Sequence, residues 1–109
     1  MTTLQDQQKA EALARANEVR AAHANIRLKL SGIPRTNGLR ETARLLSIRD
    51  QRIERLQVRK LLGYCRHVGP KTAELMAARA QISASKRVCE LTDRGRERLV
   101  VEVRRTIDG

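Results

Sequence analysis

The chain has 109 residues, a net charge of +11, no Phe, no Trp and one Tyr, so we expect one small domain with an aliphatic core and a polyanionic partner. The scarcity of aromatic rings argues against single-stranded nucleic acid, whose bases stack on such rings, and favours duplex DNA. A secretory signal, a membrane span and an amphipathic helix with interfacial aromatics are not seen, so we expect a cytoplasmic protein without a membrane partner.

A long helix is predicted at the N-terminus. Thr3 is a candidate N-cap, and no helix breaker occurs from Leu4 to about Leu30. We expect residues 1–32 to form a helical arm and residues 33–109 to form a compact body. The first half of the arm is mostly polar, so its start should project or fray.

The second half of the arm carries apolar residues at helical spacing that can pack on the body: Val19, Ala22, Ile26 and Leu30. Three basic residues, Arg20, Arg27 and Lys29, lie off this stripe. They either follow a DNA backbone or simply keep the helix solvated.

The next segment reads as a loop followed by two short helices. Ile33 to Gly38 is predicted as the loop, with Asn37 as the cap of a helix from about Leu39 to Leu46. Ser47 and Asp50 then predict another cap, before a helix through Ile53 to about Leu56.

The segment from Ile33 to Lys60 is the most basic of the chain, with eight basic residues against three acidic ones. Its second half supplies candidate DNA contacts: Arg49, Arg52, Arg55, Arg59 and Lys60. The alternative is a set of ordinary solvated helix faces.

Val58 to Arg79, VRKLLGYCRHVGPKTAELMAAR, predicts two short helices joined by a tight turn. Apolar stripes at helical spacing precede and follow the turn: Leu61, Leu62 and Cys65, then Ala73, Leu75, Met76, Ala77 and Ala80.

The turn itself predicts a phosphate site. Gly69 permits a backbone conformation that other residues resist, and Pro70 suits the first turn of a helix. The unpaired N–H groups of that helix start can receive an anion. The candidate contacts are Arg66, His67, Gly69, Pro70, Lys71 and Thr72. The alternative is an ordinary helix corner with an incidental Lys71.

The C-terminal third predicts a connection and a last helix. Ile82 to Val88 reads as a connection with one short helical turn. Thr92 should cap a helix from Asp93 to about Arg105. Its inward residues would be Leu99, Val100 and Val103. The whole pattern predicts an all-α fold of five or six helices.

No catalytic or metal chemistry is predicted. Cys65 and Cys89 are expected to be free thiols in a reducing compartment. Together with His67 and His23 they lack the spacing of a zinc site. No nucleophile–base arrangement or phosphate-binding loop of the Walker type is present, so we expect no enzyme activity, no cofactor and no small-molecule substrate.

From about Val19 to Leu99 the chain resembles the actinobacterial integration host factor family of the mycobacterial and Streptomyces type. The segment VRKLLGYCRHVGPKTAELM carries the resemblance, followed by ISASKRV, in which Lys86 and Arg87 match a basic pair of the family. For these two residues the resemblance implies phosphate contacts, and the alternative is a solvated basic loop. The resemblance implies a long helix followed by a small helical body with a helix–two-turns–helix motif. It also implies a nucleoid-associated protein that binds and bends duplex DNA with little sequence preference and assists a phage integrase.

Two positions depart from the family pattern. His67 stands in the first turn where the family has glycine, and it would have to accept a left-handed conformation. Glu90 puts a negative charge in the second turn, Cys89-Glu90-Leu91-Thr92, where a phosphate contact is expected. Such divergence would suit a relative encoded by a phage or another mobile element. The alternatives are an RNA-binding or ribosome-associated module with the same motif, or a repressor-like accessory factor.

Overall fold

The computed structural model describes residues 4–108, and these form five α-helices. The helices are α1 (Leu4–Gly32), α2 (Arg35–Ser47), α3 (Val58–Gly63), α4 (Pro70–Arg79) and α5 (Asp93–Asp108). Two 3-10 turns, Gln51–Ile53 and Val88–Glu90, complete the set, and no strand occurs in the described chain. The predicted all-α class with a long N-terminal helix is confirmed. None of the helices in this range is both long and apolar enough to cross a bilayer.

α1 is an exposed rod at its start and a packed helix at its end. Leu4 and Leu13 are exposed, whereas Ile26 and Leu30 are fully buried. The predicted stripe is therefore correct in its last two members, while Val19 and Ala22 are half-buried. The predicted cap at Thr3 lies outside the described residues. The rod makes the molecule 61 Å long and only 24 to 29 Å wide.

α2 begins earlier than the sequence predicts, so the predicted loop from Ile33 to Gly38 is confirmed only at Ile33 and Pro34 and is wrong from Arg35 to Gly38. The helix starts at Arg35, and Asn37 lies inside it rather than at its cap. Gly38 is buried in this helix, and a Cβ added there would lie 3.3 Å from the Leu30 carbonyl oxygen. The glycine therefore permits the close approach of α2 to the end of α1, which a sequence pattern cannot distinguish from a loop signal.

The predicted cap at Ser47 and the helix through Leu56 are also wrong. Ser47 ends α2 and donates its hydroxyl to the Ala43 carbonyl. Arg49 has a left-handed φ of 54°, which ends helical continuation. Asp50 is the actual cap, since its carboxylate accepts from the Arg52 N–H at 2.9 Å and starts the 3-10 turn at Gln51–Ile53.

The core is aliphatic, as expected, and α3, α4 and α5 follow their predicted faces. All the inward residues predicted for α5 are buried, and the Thr92 hydroxyl caps this helix by accepting from Gly95 N–H at 3.0 Å. In the α3–α4 pair, one predicted core residue is wrong: Leu75 is 49% exposed. It lies on the outer side of α4, because Ala73, Met76 and Ala77 already fill the buried side.

A buried ion pair connects α5 with the segment before α3. The Arg96 guanidinium donates to both carboxylate oxygens of Glu54 at 3.1 Å. It also donates to the carbonyls of Leu46 and Val88, which lie on two further segments. The Arg96 side chain is only 6% exposed, so this pair joins four parts of the chain inside the body.

Candidate nucleic-acid interface

The start of α4 is open toward solvent. Gly69 is its N-cap with an extended backbone (φ −82°, ψ 172°), and Pro70 occupies the first turn. A Cβ added at Gly69 would meet no atom within 4 Å. No side chain of the described residues caps the helix, so the N–H groups of Lys71 and Thr72 remain for water or an anion.

The left-handed residue of this turn is His67 and not Gly69. His67 has φ 61°, whereas Gly69 takes a conformation that any residue can adopt. The predicted conformational need for glycine at this position is therefore wrong. What Gly69 does provide is empty space in front of the helix. The turn is held by the buried Val68, whose N–H donates to the Cys65 carbonyl at 3.1 Å. Arg66, His67 and Lys71 are exposed around it.

The beginning of α3 is hydrogen-bonded to the segment that carries Lys86 and Arg87. Val58 N–H donates to the Lys86 carbonyl and Arg59 N–H to the Ala84 carbonyl, both at 2.9 Å. In the other direction, Val88 and Cys89 donate to the carbonyls of Leu56 and Glu54, also at 2.9 Å. These bonds fix the backbone of Lys86 and Arg87 beside Arg59, although the two segments are far apart in sequence.

Glu90 has a structural role that the sequence comparison did not anticipate. Its carboxylate accepts from the Arg87 backbone N–H at 3.1 Å and closes the 3-10 turn at Val88–Glu90. The negative charge of Glu90 thus helps to hold the backbone that presents Arg87.

Several of the predicted basic contacts already have acidic partners. Arg49 pairs with Asp93, Arg52 with Asp50 at 2.9 Å, and Lys29 with Glu41 at 3.1 Å. The hydrogen bond from Arg52 lowers the pKa of Asp50, and that from Arg49 lowers the pKa of Asp93. These three cations are consequently weaker candidates for phosphate contacts.

A second group of predicted cations has no carboxylate partner within 4 Å among residues 4–108. This group, which we call the free basic set, consists of Arg55, Arg59, Lys60, Lys86 and Arg87. All five are exposed. Arg59 and Lys60 lie in the first half of α3, and the open start of α4 follows the other end of this helix. α3 has six residues and is about 9 Å long, so the two parts of the surface are separated by at least part of this length.

The structure also places α1 next to this region. Arg20, His23 and Arg27 of α1 form a shallow cleft with Tyr64 at the end of α3. The roles of His23 and Tyr64 were not predicted from the sequence. The sequence feature that could have indicated this cleft is the spacing of Arg20 and Arg27, which are seven residues apart and so lie on one face of a helix.

No arrangement suited to a metal ion occurs in the part of the chain that the structure describes. Cys65 is buried and lies 3.2 Å from the Thr42 hydroxyl, and burial raises the pKa of its thiol. Cys89 is exposed, and both cysteines are free thiols.

Comparison of the chain with protein-family models, with curated proteins and with solved structures gives no match.

Proposed function

We propose that this protein binds duplex DNA without strong sequence preference and bends it, as a non-enzymatic architectural protein of the integration host factor type. In this proposal it acts in the nucleoid and assists a phage integrase or a similar site-specific recombination complex. The contacts are made by the free basic set and by the start of α4, from Gly69 to Thr72, with Arg66 and His67 beside it.

One observation supports the proposal most strongly. Main-chain hydrogen bonds hold Lys86 and Arg87 against the start of α3, beside Arg59. A cluster of unpaired cations repels itself, so its presence on a rigid backbone favours a role in binding an anion. Three cations on a fixed backbone, together with the uncapped start of α4 beyond the other end of α3, match the repeated charges of a phosphate backbone.

The same chemistry supports weak sequence preference. Contacts from Arg, Lys and backbone N–H groups to phosphates position a protein on DNA but carry no base information. Bending is supported because a contact surface on one side of the duplex gains further contacts when the DNA curves toward it, which offsets the deformation energy.

The test is a binding titration on random-sequence duplexes over a range of salt concentrations. Log affinity should fall linearly with log salt, because each neutralised phosphate releases a counterion. The double substitution Lys86→Gln with Arg87→Gln should reduce the slope by about two. Its matched control is Arg94→Gln with Arg104→Gln, which removes two exposed charges from α5 and should leave the slope unchanged.

Three results would contradict the proposal. A slope near zero for the parent protein would remove the electrostatic basis. A large preference for one duplex sequence would indicate a repressor-like factor instead. Tighter binding to structured RNA than to duplex DNA at equal salt would favour the RNA-binding alternative.

A further inference from the structure

The cleft between α1 and α3 is a second concentration of positive charge. Arg20 and Arg27 lie on α1 on either side of His23, and the half-buried Tyr64, directly after α3, completes the lining. Arg20 and Arg27 are both exposed, and neither forms an ion pair in the described range. Seven residues of helix place them about 10 Å apart along α1. We call this surface the α1–α3 cleft.

His23 lies where two shallow clefts meet. On the far side it shares a depression with Glu18, Arg52 and Arg55. Lys60 of α3 is also close enough to act on it electrostatically. Asp50 forms an ion pair with Arg52 and neutralises its charge. The remaining charged groups that face His23 are one carboxylate, Glu18, and four cations: Arg20, Arg27, Arg55 and Lys60.

We propose that the α1–α3 cleft is a further binding surface for the phosphate backbone of duplex DNA, and that His23 takes up a proton when a phosphodiester enters it. This inference rests on the proposed DNA binding and extends the contact surface from the free basic set onto α1. Arg55 and Lys60 belong to the free basic set and also face His23, so the two surfaces are continuous.

The physical basis is the balance of charge around His23. In the free protein, burial lowers the pKa of His23, and Lys60 and Arg55 lower it further. A phosphodiester in the cleft between Arg20 and Arg27 puts a negative charge beside the His23 ring, which opposes the effect of Lys60 and Arg55. It also accepts a hydrogen bond from the imidazolium, and both effects raise the pKa of His23. The proton comes from solvent and is held on the imidazole ring. Because binding takes up a proton, affinity must increase as the pH falls.

The direct test is an NMR titration of the two histidine rings with and without a random-sequence duplex. The pKa of His23 should rise when the duplex is bound. The variant His67→Asn, which keeps a residue that tolerates φ above zero, removes the other histidine and should retain this rise. An unchanged pKa of His23 in the bound protein would overturn the proposal.

Affinity gives an independent test of the proton uptake. Between about pH 8 and pH 5.5, parent protein and His67→Asn should bind more tightly at lower pH, by at most tenfold per unit for one proton. His23→Gln should bind with a weaker pH dependence. If the pH dependence disappears in His67→Asn and persists in His23→Gln, the proton is taken up in the turn and the proposal is wrong.

The arginines of the cleft are tested by charge removal. Arg20→Gln with Arg27→Gln should lower the salt slope by about two. The matched control is Lys9→Gln with Arg15→Gln, which removes the same charge from the distal part of α1 and should leave the slope unchanged. An equal effect of both pairs would mean that α1 contributes only general attraction, and this would overturn the proposal. Failure of the parent protein to bind duplex DNA would contradict the proposed function. Normal DNA binding by the parent, with no change in salt slope in Arg20→Gln with Arg27→Gln, would contradict only this inference.

Discussion

Gly69 leaves open space in front of the first turn of α4, and this makes it a clean position for testing the phosphate site. Gly69→Ala should not lower the melting temperature, because the backbone is extended and a Cβ meets nothing; the gain should be about 0.5 kcal/mol. The added methyl group should nevertheless weaken duplex binding, since it occupies the path of the phosphate.

The variant to compare with Gly69→Ala is Lys71→Ala, which removes a positive charge but keeps the open space in front of the first turn of α4. It should weaken binding about equally on all duplexes and reduce the salt slope by about one. Gly69→Val should weaken binding further with little change in slope. If Gly69→Val binds DNA as tightly as the parent, the start of α4 is only a structural corner.

His67 shows how a single residue can substitute for glycine in a tight turn. Its φ of 61° costs about 1 kcal/mol for a residue with a Cβ. Glycine removes this cost but adds freedom to the unfolded chain. His67→Gly should therefore leave the free energy of unfolding level or raise it by at most about 1 kcal/mol. Chemical denaturation measures this.

The contrasting variant at the same position is His67→Val. A β-branched residue resists positive φ, so this change should lower the free energy of unfolding by about 1–3 kcal/mol. Equal stability of the glycine and valine variants would show that the turn does not hold its left-handed residue in solution.

At the scale of elements, Glu54 and Arg96 join α5 to the body. Glu54→Gln leaves the buried guanidinium without its counter-charge, so we expect a loss of about 2–4 kcal/mol in the free energy of unfolding. The double variant Glu54→Leu with Arg96→Met removes both charges and should recover part of this loss.

Glu97→Gln is the control for Glu54→Gln, because Glu97 is exposed on the same helix as Arg96 and its substitution should be nearly neutral. Thermal melting distinguishes the variants. If Glu54→Gln has the same melting temperature as the parent, the ion pair between Glu54 and Arg96 does not stabilise the helical body.

A second connection between elements responds to acid. Glu41 of α2 accepts hydrogen bonds from Arg44 and from Lys29 of α1, and chiefly the bond from Arg44 lowers its pKa from 4.5 to about 2. A lowered pKa in the folded state contributes stability above the unfolded value, which is lost as the pH falls through the folded value. The partners are half-exposed, so the contribution near neutral pH should be about 1 kcal/mol.

The measurement is the difference in free energy of unfolding between the parent and Glu41→Gln. It should be constant near neutral pH, decrease below pH 4.5 and vanish near pH 2. Glu74→Gln on α4 is the control and should show no such decrease. A difference that does not change with pH would mean that the ion pairs of Glu41 do not form in solution.

At the scale of the whole molecule, α1 extends well beyond the body. Residues 4–15 are exposed, and the buried contacts of this helix begin near its second half. Deletion of residues 4–14 should therefore leave the melting temperature of the remaining chain nearly unchanged. Loss of cooperative unfolding would show that the arm packs on the body or on a second copy of the chain.

Local features of the sequence were sufficient for several parts of this fold. The helical class, the long α1, the starts of α3 and α4 and the Thr92 cap of α5 depend on apolar spacing, on Pro70 and on a capping hydroxyl. Each of these acts over one or two turns of chain, so it can be recognised without knowing what lies nearby. The candidate contacts around Lys71, Lys86 and Arg87 were found from charge and from the family resemblance.

Tertiary structure decided which residues meet. Gly38 reads as a loop signal, but its place inside α2 depends on the approach of Leu30. The pairing of Glu54 with Arg96, and of Asp50 and Asp93 with nearby arginines, determines which cations remain unpaired. The sequence alone determined that this chain is helical and strongly basic. Where the unpaired positive charge collects was decided in large part by contacts between distant segments, such as the pairs of Arg49 with Asp93 and Lys29 with Glu41. Main-chain hydrogen bonds likewise hold Lys86 and Arg87 beside Arg59, and packing brings these groups together although they are far apart in sequence.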